Sequence, residues 1–293
     1  MMPGARVGRL LSLQGARVIK VESPKRPDPV RTLSPAGWQA LNGMKELLLI
    51  DLLDPSDRTR FEVEVRKADG LIEGFRPETK TKLGLESSRL HAINPKLCVV
   101  SIVGFSPDSP LAGHAGHDIG FSARSGLLSL THEMAGIPFG EVLSAHQGAL
   151  AMASMLDGVS RGQTGLSKTI SIVDALIEAQ AVTFAEYRAG APVPQPGQTL
   201  YNGKFPCHRV YRSREGRRIA VGAIEDKYWD RMCEILELTG LKGLQMSEGE
   251  EGARVINALQ TAFSKRDWKD WSPVFEKADC CVDPVLSYDE LPG

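Results

Sequence analysis

The chain of 293 residues carries almost no net charge, with 35 Lys and Arg against 36 Asp and Glu. That removes any general reason to expect nucleic acid or an anionic membrane as its main partner. Long apolar runs are missing too: none reaches the ~20 residues of a membrane span, and no signal peptide precedes the first strand. Cysteines are few and unmatched. Cys98, Cys207, Cys233, Cys280 and Cys281 are odd in number and include no Cys-x-x-Cys pair, which argues against a disulfide framework and against a zinc or other metal site. Free thiols fit a reducing compartment, cytoplasmic by default, with a mitochondrial or peroxisomal address left open. A Gly-x-Gly-x-x-Gly turn is also absent. Without it a dinucleotide cofactor is not expected, and Glu22, at the end of the first strand, only weakly imitates a ribose-binding acid.

What is present is the balance of a soluble globular protein, 42% apolar and 24% charged. Val7, Leu10, Leu11 and Leu13 give residues 1–14 a helical pattern with Gly15 as its stop. Residues 16–22 read as a strand, and 23–35, with four prolines, as an exposed loop. The run 47–52 is apolar but for Asp51, as for a strand buried on both faces. A helix over 57–67, a strand over 70–75, a helix over 79–90 and a strand over 98–103 follow. Strands alternating with helices predict a parallel sheet covered by helices. Two further helices are expected over 145–159 and 170–187. The three prolines of 191–197 make a linker. Beyond it, 209–212 and 218–222 flank the turn Glu215-Gly216 as a hairpin, with helices at 227–238 and 253–264. The expected organisation is α/β: a large parallel-sheet domain, 1–197, and a smaller α+β domain, 198–293.

The stretch with most chemical content is Gly113–Leu130, GHAGHDIGFSARSGLLSL. It follows the strand 98–103 and the break Gly104-Phe105-Ser106-Pro107, and it sets the imidazole of His117 beside the carboxylate of Asp118. A loop between a strand end and a helix is where α/β enzymes commonly place catalytic groups, and histidine moves protons near neutral pH. The plain alternative is a histidine that only hydrogen-bonds its own loop.

Several segments together carry a resemblance. Gly116-His117-Asp118-Ile119, the strand Ala220-Val221-Gly222-Ala223-Ile224 ending on Glu225, and Phe75-Arg76-Pro77 are among them. With Gly15–Glu22 and Asp283-Pro284-Val285-Leu286 they resemble the family III CoA-transferases, the carnitine and bile-acid CoA-transferase type. The α-methylacyl-CoA racemases are the branch most like it. The likeness runs in consistent order from Pro3 to Leu291. It implies a Rossmann-like large domain with a small domain in an interlocked homodimer. It also implies a CoA thioester as substrate, with no prosthetic group. His117 matches the racemase histidine that exchanges the proton α to the thioester, and Glu225 the acid that orients it. Arg76 and Lys45 match CoA contacts, and Asp118 and Phe121 fall along the thioester and pantetheine path.

The sequence departs from that family in three ways. His146 stands where the catalytic aspartate aligns, in Leu143–Gly148. The chain starts after the family's first strand and stops before a last helical segment, so the fold is expected to be truncated at both ends. Gly43-Met44 replaces the usual Arg-Gly before Lys45. A helix starting near Ala145 would put His146 at its positive end, where a neutral imidazole can pair with His117 as a second base. The expected activity is racemase-like proton exchange. The alternatives are CoA transfer between carboxylic acids and an inactive CoA-binding paralogue.

Overall fold

In the computed structural model, which describes residues 2–131 and 133–291, the apolar runs of the N-terminal part become parallel strands joined by helices. The first residue of the expected opening helix and the last two of the expected second domain lie outside the described residues. The elements run α1 (Met2–Leu13), β1 (Ile19–Glu22), α2 (Val30–Leu33), α3 (Pro35–Asn42), β2 (Glu46–Leu49), α4 (Pro55–Lys67) and β3 (Gly70–Glu73). Then come α5 (Pro77–Leu83), α6 (Ser87–Ile93), β4 (Cys98–Val103), α7 (Asp118–Arg124), α8 (Phe139–Ser160), β5 (Ser167–Ser171), α9 (Ile172–Glu178) and α10 (Ala181–Arg188). The remainder is β6 (His208–Arg212), β7 (Arg218–Gly222), α11 (Asp226–Ile235), α12 (Gly249–Phe263), α13 (Trp268–Ala278) and β8 (Val282–Pro284). Two compact units result. One runs to Leu128 and resumes over Glu133–Val182; the other takes the short segment that begins at Ser129 and the chain from Thr183 onward.

In the first unit, β1 pairs β2 and, separately, β3, β4 and β5 pair in that order, all in parallel. This is the α/β class that the alternation predicts. β4 is the core of the unit, with Cys98, Val99, Val100 and Ile102 fully buried, and Val7 of α1 and Met152 of α8 join the same layer. Four expectations change. The apolar 47–52 run is not buried on both faces, because β2 has one strand neighbour and leaves Leu47 46% and Leu49 49% exposed. The helix expected at 79–90 is two, divided at Gly84, whose left-handed φ of 68° ends α5. The segment from 170 is not helix throughout. β-Branched Thr169 and Ile170 pair with β4, and the Ser171 hydroxyl then accepts from the amide of Asp174 to start α9. Finally, α8 begins at Phe139 after Pro138, two turns ahead of the expected start.

The loop 23–35 is fastened rather than free. Glu22, 7% exposed, accepts from Arg31 Nε at 2.9 Å and from the amide of Asp28 at 2.9 Å. The Arg31 guanidinium lies 3.8 Å over the Trp38 ring. Glu22 therefore holds its own loop and has no ribose-binding part.

The second unit contains the expected hairpin, β6 against β7, with β8 added antiparallel to β7. Trp229 and Met232 of α11, Phe263 of α12 and Trp271 and Phe275 of α13 fill its core. α13 and β8 were not expected. Cys98, Cys207, Cys233 and Cys280 are buried free thiols, and Cys281 is an exposed one. No described helix is long and apolar enough to cross a membrane.

Candidate active site

The site is built at the carboxyl end of β4. The chain leaves that strand through Gly104 and Phe105 and re-enters helix at Asp118. Phe121, 5% exposed, is the anchor of this turn. Its ring meets Phe105 edge-on at 5.4 Å between centroids. It also lies so close to the backbones of Gly104 and Gly116 that a Cβ at either would sit 2.6 or 2.7 Å from Phe121 Cζ. Only glycine allows the approach at both positions. The ring thereby fixes the loop that presents His117.

His117 is the N-cap of α7 in extended conformation (φ −126°, ψ 169°), and its carbonyl accepts from the amides of Gly120 and Phe121 at 2.9 and 3.1 Å. Its imidazole makes no capping bond and is exposed. The backbone is thus committed while the ring is free to meet a substrate. Asp118 is committed differently: Oδ1 accepts from the amide of Glu141 at 2.9 Å, in the first turn of α8, and Oδ2 from the Ser122 hydroxyl at 3.4 Å. A carboxylate there also complements the helix dipole, so Asp118 clamps α7 to α8. Gly140 permits the clamp, because a Cβ there would lie 2.9 Å from Asp118 Oδ1 and 2.7 Å from Ile172 Cγ2.

Beside this loop is a cavity of about 140 Å³, lined by Phe105, Leu111, His114, Gly116, Phe121 and Arg124 among others. It holds a few waters or a short apolar fragment, well below the ~300 Å³ at which whole-ligand pockets begin.

The structure adds one residue that sequence reasoning missed. Glu141 is half-buried, and its Oε2 is sealed from solvent with no hydrogen-bond partner. Burial, and next the charge of Asp118, push its carboxyl above the usual range, while His117 and Arg6 pull the other way. No local pattern marks it. Its environment depends on Asp118, 23 positions earlier, and it precedes the helix start expected at Ala145.

His146 is exposed on α8, in its second turn rather than at its N-terminus, so the dipole reasoning for that residue does not hold. Nδ1 lies 2.8 Å from the carbonyl of Val142. A carbonyl only accepts, so Nδ1 carries the proton and Nε2 remains the acceptor of the neutral ring.

Arg76, exposed between β3 and α5, makes no side-chain hydrogen bond or ion pair among the described residues. The neighbouring basic loop is mostly occupied: Lys25 pairs with Asp51 at 2.8 Å and Arg31 with Glu22 at 2.9 Å. Lys45 is turned inward, donating to the Ala5 carbonyl at 2.6 Å and to Asn42 Oδ1 at 2.8 Å. Burial, with the charges of Lys20 and Arg9, lowers it to about 8. In the second unit, Glu225 caps α11 at the end of β7. Its carbonyl accepts from the amides of Tyr228 and Trp229, both at 3.0 Å, and its side chain is exposed. Among the described residues no cluster of His, Cys, Asp and Glu could hold a metal ion.

The model of "CoA-transferase family III" matches residues 1–292. Human alpha-methylacyl-CoA racemase is 25% identical over 299 residues, covering 99% of this chain and 76% of that protein. Acetyl-CoA:oxalate CoA-transferase of Acetobacter aceti is 30% identical over 302 residues, covering 96% and 76%. Among solved structures, a CAIB/BAIF family protein from Brucella suis superposes with a TM-score of 0.80 at 24% identity, covering 98% of this chain and 81% of that one.

Proposed function

The chain belongs to CoA-transferase family III, and on that premise we propose that it binds an acyl-CoA and exchanges the proton on the carbon α to the thioester carbonyl. The observation that carries this reading is the His117 imidazole, exposed and without a hydrogen bond among the described residues, on a turn whose backbone is fixed by the Phe121 seat. A thioester acidifies its α C–H bond, and a positioned imidazole is a suitable base for it near neutral pH. The free guanidinium of Arg76 takes a CoA phosphate, since charge-assisted contacts are the strong ones. Asp118 and Phe121 shape the wall of the thioester path, and Lys45 supports the adenine side from within.

Deuterium wash-in tests the proposal. The protein is incubated in D₂O with each enantiomer of a 2-methylacyl-CoA, and label at the α position is followed by mass spectrometry. Exchange that depends on His117 is the expected result; no exchange from either enantiomer rejects the reading. Transfer of CoA between carboxylic acids is the second reading, favoured by the likeness to the acetyl-CoA:oxalate enzyme. Transfer needs a carboxylate nucleophile, and a histidine stands at 146. Appearance of oxalyl-CoA from acetyl-CoA and oxalate, without α-exchange, would establish that reading instead. We also propose a homodimer in a reducing compartment. The exposed Leu47 and Leu49 supply apolar surface for it, and a monomer at micromolar concentration in sedimentation would count against it.

A further inference from the structure

We propose that Glu141 is the second proton-transfer group of this site, the acid that answers the His117 base. The inference rests on the proton-exchange reading above and assigns a residue that the family likeness does not supply, since His146 occupies the aligned position.

Three observations point to Glu141. The first is placement. Its own amide is held by Asp118 Oδ1 at 2.9 Å, and Asp118 directly follows His117 in the chain. Gly140 lets the first turn of α8 press against Asp118, Ile172 and Leu176, so Glu141 starts from a fixed backbone. The second is vacancy. Oε2 of Glu141 is sealed with no donor, whereas both oxygens of Asp118 are engaged, by the Glu141 amide and the Ser122 hydroxyl. A buried carboxylate without a donor is costly, and that burial together with Asp118 favours the protonated acid, the form with a proton to give. The third is company. Among the described residues the charged groups acting on it are Asp118 and His117 around the start of α7 and Arg6 of α1. Asp118 favours the protonated acid, and a protonated His117 favours its anion. The charge of each group thus bears on that of the other, as a proton exchange between them needs.

The step balances without a co-reactant. The unprotonated nitrogen of His117 takes the α-hydrogen as a proton, and the C–H electron pair passes into the thioester enolate. The enolate carbon then takes the Glu141 hydroxyl proton, forming the new C–H bond and leaving the electron pair of O–H on the carboxylate. His117 now carries the proton and Glu141 the charge, which is the starting state for the opposite enantiomer. His146 fits less well. It lies in the next turn of α8, and one nitrogen is already spent on Val142.

The test follows each enantiomer separately in D₂O with wild type, Glu141→Gln, Glu141→Asp and His117→Ala. In Glu141→Gln, inversion is expected to be lost. Wash-in from one enantiomer should fall ~100-fold or more, within the usual range for general acid–base catalysis, while the other exchanges within ~10-fold of wild type. His117→Ala should show the mirror-image defect, and Glu141→Asp should recover part of the lost exchange. A purely structural role would slow both enantiomers alike, and that result overturns the proposal. So does a near-normal Glu141→Gln, or the one-sided defect appearing in His146→Ala instead. A wild type silent towards both enantiomers rejects the proton-exchange reading itself, and this one with it. Gln is close in shape to Glu, so an unchanged melting profile shows that the variant is folded.

Discussion

The seat of Phe121 makes a sharp prediction about Gly116. Adding one methyl group there, as alanine, would put Cβ 2.7 Å from Phe121 Cζ and 3.2 Å from Cδ1. Relaxed carbon–carbon contacts lie near 3.5–4.0 Å, so the ring must retreat by roughly 1 Å. It has no room to do so, because Gly104 bounds it 2.6 Å from an equivalent Cβ and Phe105 packs its edge. Overpacking of this kind costs about 1–3 kcal/mol. For a domain of ~150–250 residues that is a fall in melting temperature of roughly 2–12 °C. The assay is a thermal melt of Gly116→Ala, Phe121→Leu and the double variant. Leucine removes the atoms that the new methyl would strike, so the double variant should be more stable than the sum of the single effects by about 1 kcal/mol or more. A Gly116→Ala protein that melts with wild type, or strict additivity in the double variant, would refute the seat as the device that fixes the His117 turn.

Two other predictions concern the cations. Arg76→Ala removes an unpaired guanidinium and should weaken CoA binding roughly 10- to 100-fold, as loss of one charge-assisted contact does. Unchanged binding in calorimetry would exclude Arg76 from the phosphate site. Lys45 is held down to about 8 in the folded chain and returns to its ordinary value on unfolding. Its contribution to stability is therefore fully present above the unfolded value near 10.4 and is lost as pH falls through 8. Wild type should gain stability between pH 8 and 10 relative to Lys45→Met in denaturant titrations. Parallel pH profiles for the two would show that Lys45 is not buried as described.

β4 and the GHDI turn were legible because their signals are local: an unbroken run of apolar residues, then glycines and a histidine at a break. The start of α8 was not. Phe139–Leu143 has no strong helical stripe, and the small residues that mark the helix begin only at Ala145. β5 was hidden because Ile170 and Ser171 are followed at once by the good helix sequence of α9, and a short strand has no period of its own against it. Lys45 was matched to a CoA contact, and nothing near it in sequence shows the Ala5 carbonyl that receives it. Glu141 lay beyond sequence reasoning for the same reason. Its significance is set by a neighbour on another helix, not by its own flanks.

The separation of β1–β2 from β3–β4–β5 has a consequence for how the protein breathes. β4 is bonded along both edges, whereas β1, β2, β3 and β5 each have one strand neighbour among the described residues. Strands bonded on one side open more readily than a central strand, and amide exchange follows that order. The amides of Val99 to Val103 should be among the slowest of the first unit to exchange, and those of Ile19–Glu22 and Glu46–Leu49 among the faster. His117 thus hangs from a slowly opening strand. The β1–β2 ribbon, which carries Lys45 just before β2, is expected to exchange its amides ahead of that strand.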